Sequence, residues 1–232
     1  MKILAIDTST EPGSCALWLD GSVTEVCCPT GRPSSETLLP LVRSLLSEHS
    51  LRLADLDGIA YGAGPGAFTG LRVASGVAQG LAFPHNLPVL PVVSLAAMAW
   101  SCARRPGDKV LAVLDARMNE VYYAQYRRET DGLTQITTPA VAPPAEVQLP
   151  EDEGWWVVGN ALSAYPLLEE RARAVCIGQI PDLTPRAAAV GELGARLLVS
   201  GGGRPAEEAW PVYVRDKVAL TVAERLARGG KA

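Results

Sequence analysis

Two aspartates close apolar runs of the sequence and are the residues best placed to do chemistry. Asp7 ends the run KILAID at 2–7, and Asp115 ends the run KVLAVLD at 109–115. Hydroxyls and backbone amides after such a strand can receive phosphate oxygens, so the loop after Asp7 is a candidate phosphate-binding loop. We predict weak nucleotide contact at these strand ends, without independent ATP turnover. The candidate nucleotide contacts are Asp7, Thr8, Ser9, Thr10 and Asp115.

A glycine-rich segment, YGAGPGAFTGLR at 61–72, contains the G-x-G-x-x-A spacing of a dinucleotide-binding loop. Three features argue against that function. The segment follows the fourth predicted strand, no Asp or Glu occurs from Gly58 through Gly107 to bind a ribose, and Pro65 removes one backbone N–H. No Lys follows the glycines, as a Walker loop requires. We favour a tight strand-to-helix turn, with an anion site on the free helix amides as the open alternative.

Other catalytic and metal-binding patterns are absent from the sequence. The two histidines, His49 and His85, are too far apart for an H-x-x-x-H or H-E-x-x-H motif. The five cysteines have no C-x-x-C spacing, and the pair at 27–28 has no histidine or lysine beside it. We therefore predict no metal site and no reactive thiol in this chain.

The composition is that of an ordinary globular protein of one large domain or two small lobes. Of 232 residues, 48% are hydrophobic and 20% are charged, with a net charge of −4. Phosphate binding needs a cationic surface, so we do not expect the chain to bind nucleic acid alone. No apolar run reaches 18 residues, and a charged residue at position 7 argues against a signal peptide. We expect a cytoplasmic protein with reduced thiols and no membrane contact.

The elements that must position the aspartates begin with a three-stranded meander. Strands are predicted at 2–7, 14–19 and 22–28, and Asp20-Gly21 between the last two indicates a type I′ hairpin. A helix at 34–48 follows, capped by Ser34 or Ser35, with a kink or late start because of Pro40. Further predicted elements are a strand at 56–61, a helix at 70–82 and a strand at 87–94.

The same order of elements recurs in the second half of the chain. The strand KVLAVLD is followed by EVYYAQYRRE, by Asp131-Gly132 and by LTQITT. This repetition favours a duplication over two unrelated meanders. A strand at 155–160, two helical regions, an extended piece at 212–214 and a last helix complete the prediction. The domains are then 1–104 and 105–232, with about 206–232 able to pack back on the first lobe.

A duplicated unit of this kind is typical of the actin–hexokinase–Hsp70 architecture. The predicted fold class is therefore α/β, with a duplicated ribonuclease-H-like (actin-like ATPase) fold of two lobes whose mixed sheets are flanked by helices. ATP-using proteins of this architecture usually carry glycine directly after the first strand, whereas this loop delays glycine to Gly13. This departure argues against a stand-alone ATPase.

The helix at 70–82 indicates a contact surface. Gly70, Ala74, Ala78 and Ala82 recur every four residues, so another backbone could approach that face closely. Together with the leucine stripe of 34–48, this helix predicts a protein–protein surface, and burial of both helices in the core is the alternative. The predicted partner-binding residues are Leu38, Leu41, Val42, Leu45, Leu71, Ala74, Ala78 and Leu81.

Several motifs together resemble the TsaB family, the accessory subunits of bacterial tRNA threonylcarbamoyladenosine synthesis. The motifs are ILAIDTST, YGAGPGAFTGLRV, AQGLA, VLDARMNEVYYAQY and PVYVRDKVA. The resemblance implies a catalytic paralogue, TsaD, as partner, which transfers a threonylcarbamoyl group to N6 of the adenosine beside the anticodon. It also implies an ATPase partner, TsaE, contact with tRNA only through the complex, and a homodimer when the chain is isolated. ATP, ADP and a metal would belong to the assembled complex, because the chain alone is expected to hold no cofactor.

The resemblance also bears on catalysis. The catalytic paralogue carries His-x-x-x-His for its metal, and Ser94 and Met98 stand at those positions here. The leading hypothesis is therefore a non-catalytic scaffold. The rivals are a small-molecule kinase or ATPase that uses Asp7 and Asp115, and a metallopeptidase whose ligands are missing.

Overall fold

The computed structural model describes residues 1–215, which form two mixed β-sheets flanked by helices. The predicted last helix lies outside the described residues. The strands are β1 (Lys2–Asp7), β2 (Ser14–Leu19), β3 (Ser22–Cys27), β4 (Gly58–Gly64), β5 (Val89–Val93), β6 (Lys109–Asp115), β7 (Val121–Arg128), β8 (Leu133–Gln135), β9 (Ala140–Ala142), β10 (Trp155–Val158) and β11 (Cys176–Ile180).

The described helices lie where the apolar periodicity predicts them, with longer or shorter ends, except the one at Ser94–Cys102, which was not predicted. They are α1 (Ser34–Glu48), α2 (Phe68–Ala82), α3 (Ser94–Cys102), α4 (Ala161–Ala164), α5 (Pro166–Arg173) and α6 (Ala187–Val199). The longest has 15 residues, and no described helix is long and apolar enough to span a bilayer. Helix α1 does not start late. Pro33 is its N-cap, and neither Ser34 nor Ser35 caps it because both are already helical.

The two sheets have the same topology, which confirms the predicted duplicated fold. The first sheet has the order β3-β2-β1-β4-β5, and the second has the order β8-β7-β6-β10-β11, with β9 beside β7. In the first sheet the central strand β1 pairs antiparallel with β2 and parallel with β4. In the second sheet the central strand β6 pairs in the same way with β7 and β10. Strand β11 was not predicted, because its residues Cys176–Ile180 alternate weakly and lie at a sheet edge.

Both predicted Asp-Gly hairpins form, with different turns. Asp20 and Gly21 have φ values of 47° and 99°, as a type I′ turn requires, and they join β2 to β3. At Asp131-Gly132 the two strands also pair antiparallel, but Arg128 pairs with Leu133 across a loop of four residues. Neither Asp131 nor Gly132 has a positive φ. The longer loop removes the need for left-handed backbone at both positions.

Helices cross between the lobes, and this differs from the predicted domain division. Helix α6 packs on the first sheet, where a Cβ at Gly194 would lie 2.5 Å from that of Ala60. Arg186, just before α6, pairs with Glu25 of β3 at 2.9 Å. The return to the first lobe therefore begins near 186 rather than at about 206. Helix α3, from the first half, packs in turn on β6 of the second sheet.

The crossing helices meet at Trp100 of α3. Its indole Nε1 donates to Glu192 of α6 at 2.9 Å. Two arginines stack on the Trp100 ring. The guanidinium carbon of Arg128, on β7, lies 3.3 Å from a ring centroid, and that of Arg196, on α6, lies 4.6 Å from one. Cation–π contacts of this kind stabilise packing by about 0.5–2 kcal/mol each. Trp100 thus joins elements of both halves.

Candidate functional site

The glycine-rich segment packs directly on the end of β1. Asp7 Oδ1 accepts hydrogen bonds from the backbone N and the Oγ of Ser9, at 2.9 and 2.6 Å. Its other oxygen, Oδ2, faces Gly62, where a Cβ would lie only 2.0 Å away. Gly62 is therefore required for close approach of β4 to the carboxylate.

The following glycines contact the loop after β1 in the same way. A Cβ at Gly66 would lie 2.5 Å from the carbonyl oxygen of Ser9, and one at Gly70 would lie 1.8 Å from that of Thr8. The Ala67 N–H donates to Ser9 O at 2.8 Å, and Thr8 Oγ1 donates to Gly70 O at 2.6 Å. The segment therefore forms a tight turn against the loop after β1, which is the role that its sequence favours. It also covers the end of β1, where the sequence predicts a phosphate-binding loop.

Asp7 is buried and has an altered acidity. Burial, with no hydrogen-bond partner for Oδ2, raises the pKa of Asp7 from 3.8 to about 6. The two bonds from Ser9 lower this pKa, and of the more distant charges Glu25 raises it and Arg186 lowers it. The folded protein therefore holds the Asp7 proton more tightly than the unfolded chain does.

This proton affinity predicts a pH-dependent stability. The stabilisation is fully present below the unfolded pKa of 3.8 and is lost as pH rises through about 6, so Asp7 should lower the free energy of unfolding by about 2 kcal/mol between pH 4 and 7. Asp7→Asn should remove this loss, as measured by urea unfolding at several pH values. Asp131→Asn, at an exposed carboxyl, is the control and should keep the wild-type pH dependence. An unchanged fall in the Asp7→Asn protein would contradict the assignment.

A cavity of about 490 Å³ lies between the lobes and receives some of the predicted nucleotide contacts. Ser9, Thr10 and Asp115 line it, whereas Asp7 and Thr8 are buried behind the glycine-rich segment. Asp115 is already engaged, because its Oδ1 accepts from Tyr165 OH and from the Arg117 N–H, each at 2.8 Å. Its other oxygen, Oδ2, lies 3.3 Å from Arg117 Nη1, so both oxygens of Asp115 already have partners within the protein.

We name residues 204–215 the strap, and its last four residues, 212–215, line one side of the cavity. Trp210 O accepts from Tyr61 OH at 3.1 Å, and the Val212 N–H donates to Ala63 O at 2.7 Å. At its end Arg215 pairs with Glu120 and donates to Ala116 O at 3.0 Å, on the other lobe. The sequence predicts an extended piece at 212–214 but not this bridging position, since contacts 95–149 residues apart leave no local pattern.

The structure corrects the predicted partner-binding residues. The small-residue row of α2 faces the sheet, so Ala74 and Ala78 are fully buried. A row of small side chains lets the helix lie close to its own strands, which explains the pattern without a partner. Leu41 and Leu81 are half-buried. The buried members of the predicted set are Leu38, Val42, Leu45, Leu71, Ala74 and Ala78.

The outer side of α1 and α2 has a different composition. Gly76 and Gly80 are exposed on α2, and a Cβ at either would meet nothing within 4 Å. Beside them, between α1 and α2, lies an open groove of about 410 Å³ rimmed by leucines. We name these glycines and this groove the helical face. The leucines of the groove are Leu39, Leu46, Leu51, Leu53 and Leu81.

The positions implied for catalysis are occupied by unreactive, buried side chains. Ser94 and Met98 are fully buried on α3. Within residues 1–215, no three His, Cys, Asp or Glu side chains come close enough to hold a metal ion. This part of the chain therefore offers neither the imidazoles nor a carboxylate cluster for metal-assisted chemistry.

Comparison with known proteins gives consistent results. The family model described as "TsaD: tRNA N6-adenosine threonylcarbamoyltransferase" matches residues 29–207. The tRNA threonylcarbamoyladenosine biosynthesis protein TsaB of Escherichia coli (strain K12) is 40% identical over 227 residues, covering 94% of this chain and 96% of that protein. The same-named protein of Haemophilus influenzae is 44% identical over 130 residues, covering 56% and 55%.

Solved structures with the same fold come from Pseudomonas aeruginosa. An uncharacterized protein with similarity to peptidase YEAZ superposes with a TM-score of 0.84 at 38% identity, covering 92% of this chain and 99% of that one. A structure described as YeaZ gives a TM-score of 0.82 at 38% identity, with coverages of 91% and 99%.

Proposed function

The chain belongs to the TsaB family, and from this membership we propose that it is a non-catalytic subunit for threonylcarbamoyl transfer to N6 of the adenosine beside the tRNA anticodon. It acts in the synthesis of threonylcarbamoyladenosine in tRNA. In this proposal it binds and activates a TsaD-like catalytic paralogue, together with a TsaE-like ATPase. tRNA contacts the assembly rather than this chain alone, because the net charge of −4 disfavours phosphate binding.

The helical face is the observation that carries the proposal. Glycine in an exposed helix interior destabilises by about 1 kcal/mol relative to alanine. Among residues 1–215, Gly76 and Gly80 make no contact that requires the missing side chain. A helix from outside could approach α2 closely at these positions and place apolar side chains in the neighbouring leucine groove. We therefore assign the paralogue to this face.

The geometry favours a scaffold over an enzyme. Gly62 and Gly70 bring the glycine-rich segment against Asp7 and Thr8, which removes both from the inter-lobe cavity. The rival function, a stand-alone kinase or ATPase, depends on that cavity and on Asp115. It would need Asp115 to give up its bonds to Tyr165 and Arg117.

Two accompanying proposals concern the isolated chain and its setting. Two copies can pair through the helical face when the paralogue is absent, since the same leucines would then be covered. ATP or ADP and a metal enter with the partner proteins. The setting is the cytoplasm, where tRNA modification takes place.

Reconstitution tests the function. The chain, the TsaD-like paralogue and the TsaE-like ATPase of the same bacterium are purified and incubated with unmodified tRNA, threonylcarbamoyl adenylate and ATP. Modified adenosine is measured by nucleoside mass spectrometry. We expect modification to fall at least 100-fold when the chain is omitted, and the chain alone to hydrolyse no ATP. Full modification without the chain would overturn the proposal, and magnesium-dependent ATP hydrolysis that Asp115→Asn removes would favour the kinase instead.

A further inference from the structure

The exposed aromatic side chains of residues 1–215 share one surface. The chain contains two phenylalanines, a residue type that is usually buried, and both are exposed: Phe68 by 41% and Phe83 by 65%. They stand at the two ends of α2. The other exposed aromatics, Trp210 and Tyr213, lie on the strap, which runs beside α2.

At the first end of α2 the rings form an ordered cluster with an arginine. The ring centroids of Phe68 and Tyr213 are 5.9 Å apart, and the Arg72 guanidinium lies 3.9 Å above the Phe68 ring. Arg72 Nε donates to Tyr213 OH at 3.3 Å. Within residues 1–215, Arg72 has no carboxylate at ion-pair distance. Its charge is therefore available to an acidic group from outside.

The cluster is held in place before any partner arrives. Phe68 and Arg72 belong to a 15-residue helix, and Tyr213 follows Val212, whose N–H bonds to Ala63 O at 2.7 Å. Side chains fixed in this way lose little conformational entropy on binding. Such a site can therefore contribute its full contact energy to an interface.

The opposite lobe supplies a second wall. Arg117 and Met118 are exposed there, with Arg117 exposed by 88% and Met118 by 61%. They belong to a turn in which Arg117, Met118 and Asn119 all have left-handed φ values of 59°, 56° and 59°. Backbone of this kind is unfavourable for residues other than glycine and is concentrated at functional sites. The turn presents a flexible apolar side chain and a cation beside the cavity.

Between the two walls lies the inter-lobe cavity, which has apolar as well as polar lining. Leu71, Tyr122, Val212 and Val214 contribute to it. A cavity of about 490 Å³ can accept a large apolar side chain. Aromatic, methionine and arginine side chains around such a cavity are the composition of protein–protein hot spots.

We propose that this cleft mouth, formed by Phe68, Arg72, Arg117, Met118 and Tyr213, is a second protein-binding surface. Its occupant is a partner segment that inserts an apolar side chain into the cavity and presents a carboxylate to Arg72, since the Arg117 guanidinium already pairs with Asp115 at 3.3 Å. Leu71, Val212 and Val214 in the cavity favour an apolar side chain over a phosphate backbone, and Glu11 and Asp115 in the same lining restrict the partner's carboxylate to the mouth. The inference rests on the proposed function, because it requires a complex with a second protein besides the paralogue.

The experiment uses the TsaE-like ATPase as the probe and the preformed complex of the chain with its paralogue as the target. Arg72→Glu and Tyr213→Ala should each weaken binding of the ATPase at least tenfold by calorimetry, and Tyr213→Phe, which keeps the ring, should weaken it less. Binding of the paralogue by these variants should be unchanged. Arg105→Glu, at an exposed arginine in the turn before β6, is the matched charge-reversal control and should bind both proteins normally.

Two results would overturn the inference. ATPase binding equal to wild type in Arg72→Glu and Tyr213→Ala would show that the cleft mouth is not its site. Loss of tRNA binding by the complex, with ATPase binding intact, would assign the surface to nucleic acid instead. Failure of the wild-type chain to bind the paralogue is a separate outcome, which would count against the proposed function itself.

Discussion

Replacing Gly70 by alanine is expected to lower the free energy of unfolding by about 3 kcal/mol, although alanine is the better helix former. The added methyl group would lie 1.8 Å from the carbonyl oxygen of Thr8, where Cβ contacts are essentially never shorter than 3.0 Å. The obstacle is backbone, so a side-chain rotation cannot relieve it. Helix α2 must move away from β1 or the loop after β1 must shift. Urea unfolding followed by circular dichroism measures the change.

Gly76→Ala is the matched control on the same helix. Its methyl group would meet nothing within 4 Å, so the helix propensity of alanine should raise the stability by about 1 kcal/mol. The two substitutions add the same atom to one helix and should change stability in opposite directions. Equal effects would show that helix propensity, and not contact with the loop after β1, decides the role of Gly70.

Gly80→Arg is expected to weaken binding of the paralogue at least 100-fold while leaving the fold intact. Gly80 is exposed beside the leucine groove, with open space around the missing side chain. An arginine fits the isolated helix there, but a close helix–helix contact would have to bury its charge and widen the interface. Calorimetry against the TsaD-like paralogue measures the loss, and the unfolding curve should remain cooperative.

The placement of the alanine row makes this a sharper test than a change at Ala74 or Ala78. Both alanines are fully buried against the sheet, so a charged residue there would unfold the first lobe and abolish binding for a trivial reason. Arg105→Glu, on a distant turn, controls for a general charge effect. Undiminished binding by Gly80→Arg would mean that the paralogue does not use the helical face.

Local signals in the sequence were sufficient for the strands that carry Asp7 and Asp115. Both aspartates end apolar runs, and Asp20-Gly21 fixes the hairpin beside the first of them. The repetition of these elements predicts the duplicated topology, because each sheet is built from neighbouring strands of one half. The glycine spacing at 62–70 predicts a tight turn, although it does not say which backbone the glycines approach.

The remaining features depend on contacts between distant parts of the chain. The apolar periodicity of α2 shows that one face is buried, but Gly70, Ala74 and Ala78 fit close packing on a partner as well as on the sheet. The strap has no periodicity, and Arg215 reaches Glu120 across 95 residues. The exposure of Phe68 likewise cannot be predicted from its residue type, because phenylalanine is usually buried.

The exchange of α3 and α6 between the halves has a consequence for how such a protein could arise. A free first half would leave Ile3, Ala60 and Leu90 uncovered, because Val190 and Ala195 of the second half now bury them. A gene encoding one half would therefore have yielded a chain that is stable only as a homodimer in which the two subunits exchange a helix. Fusion of two such genes would have joined the two halves covalently, and each half produced alone, 1–105 or 106–232, should be insoluble.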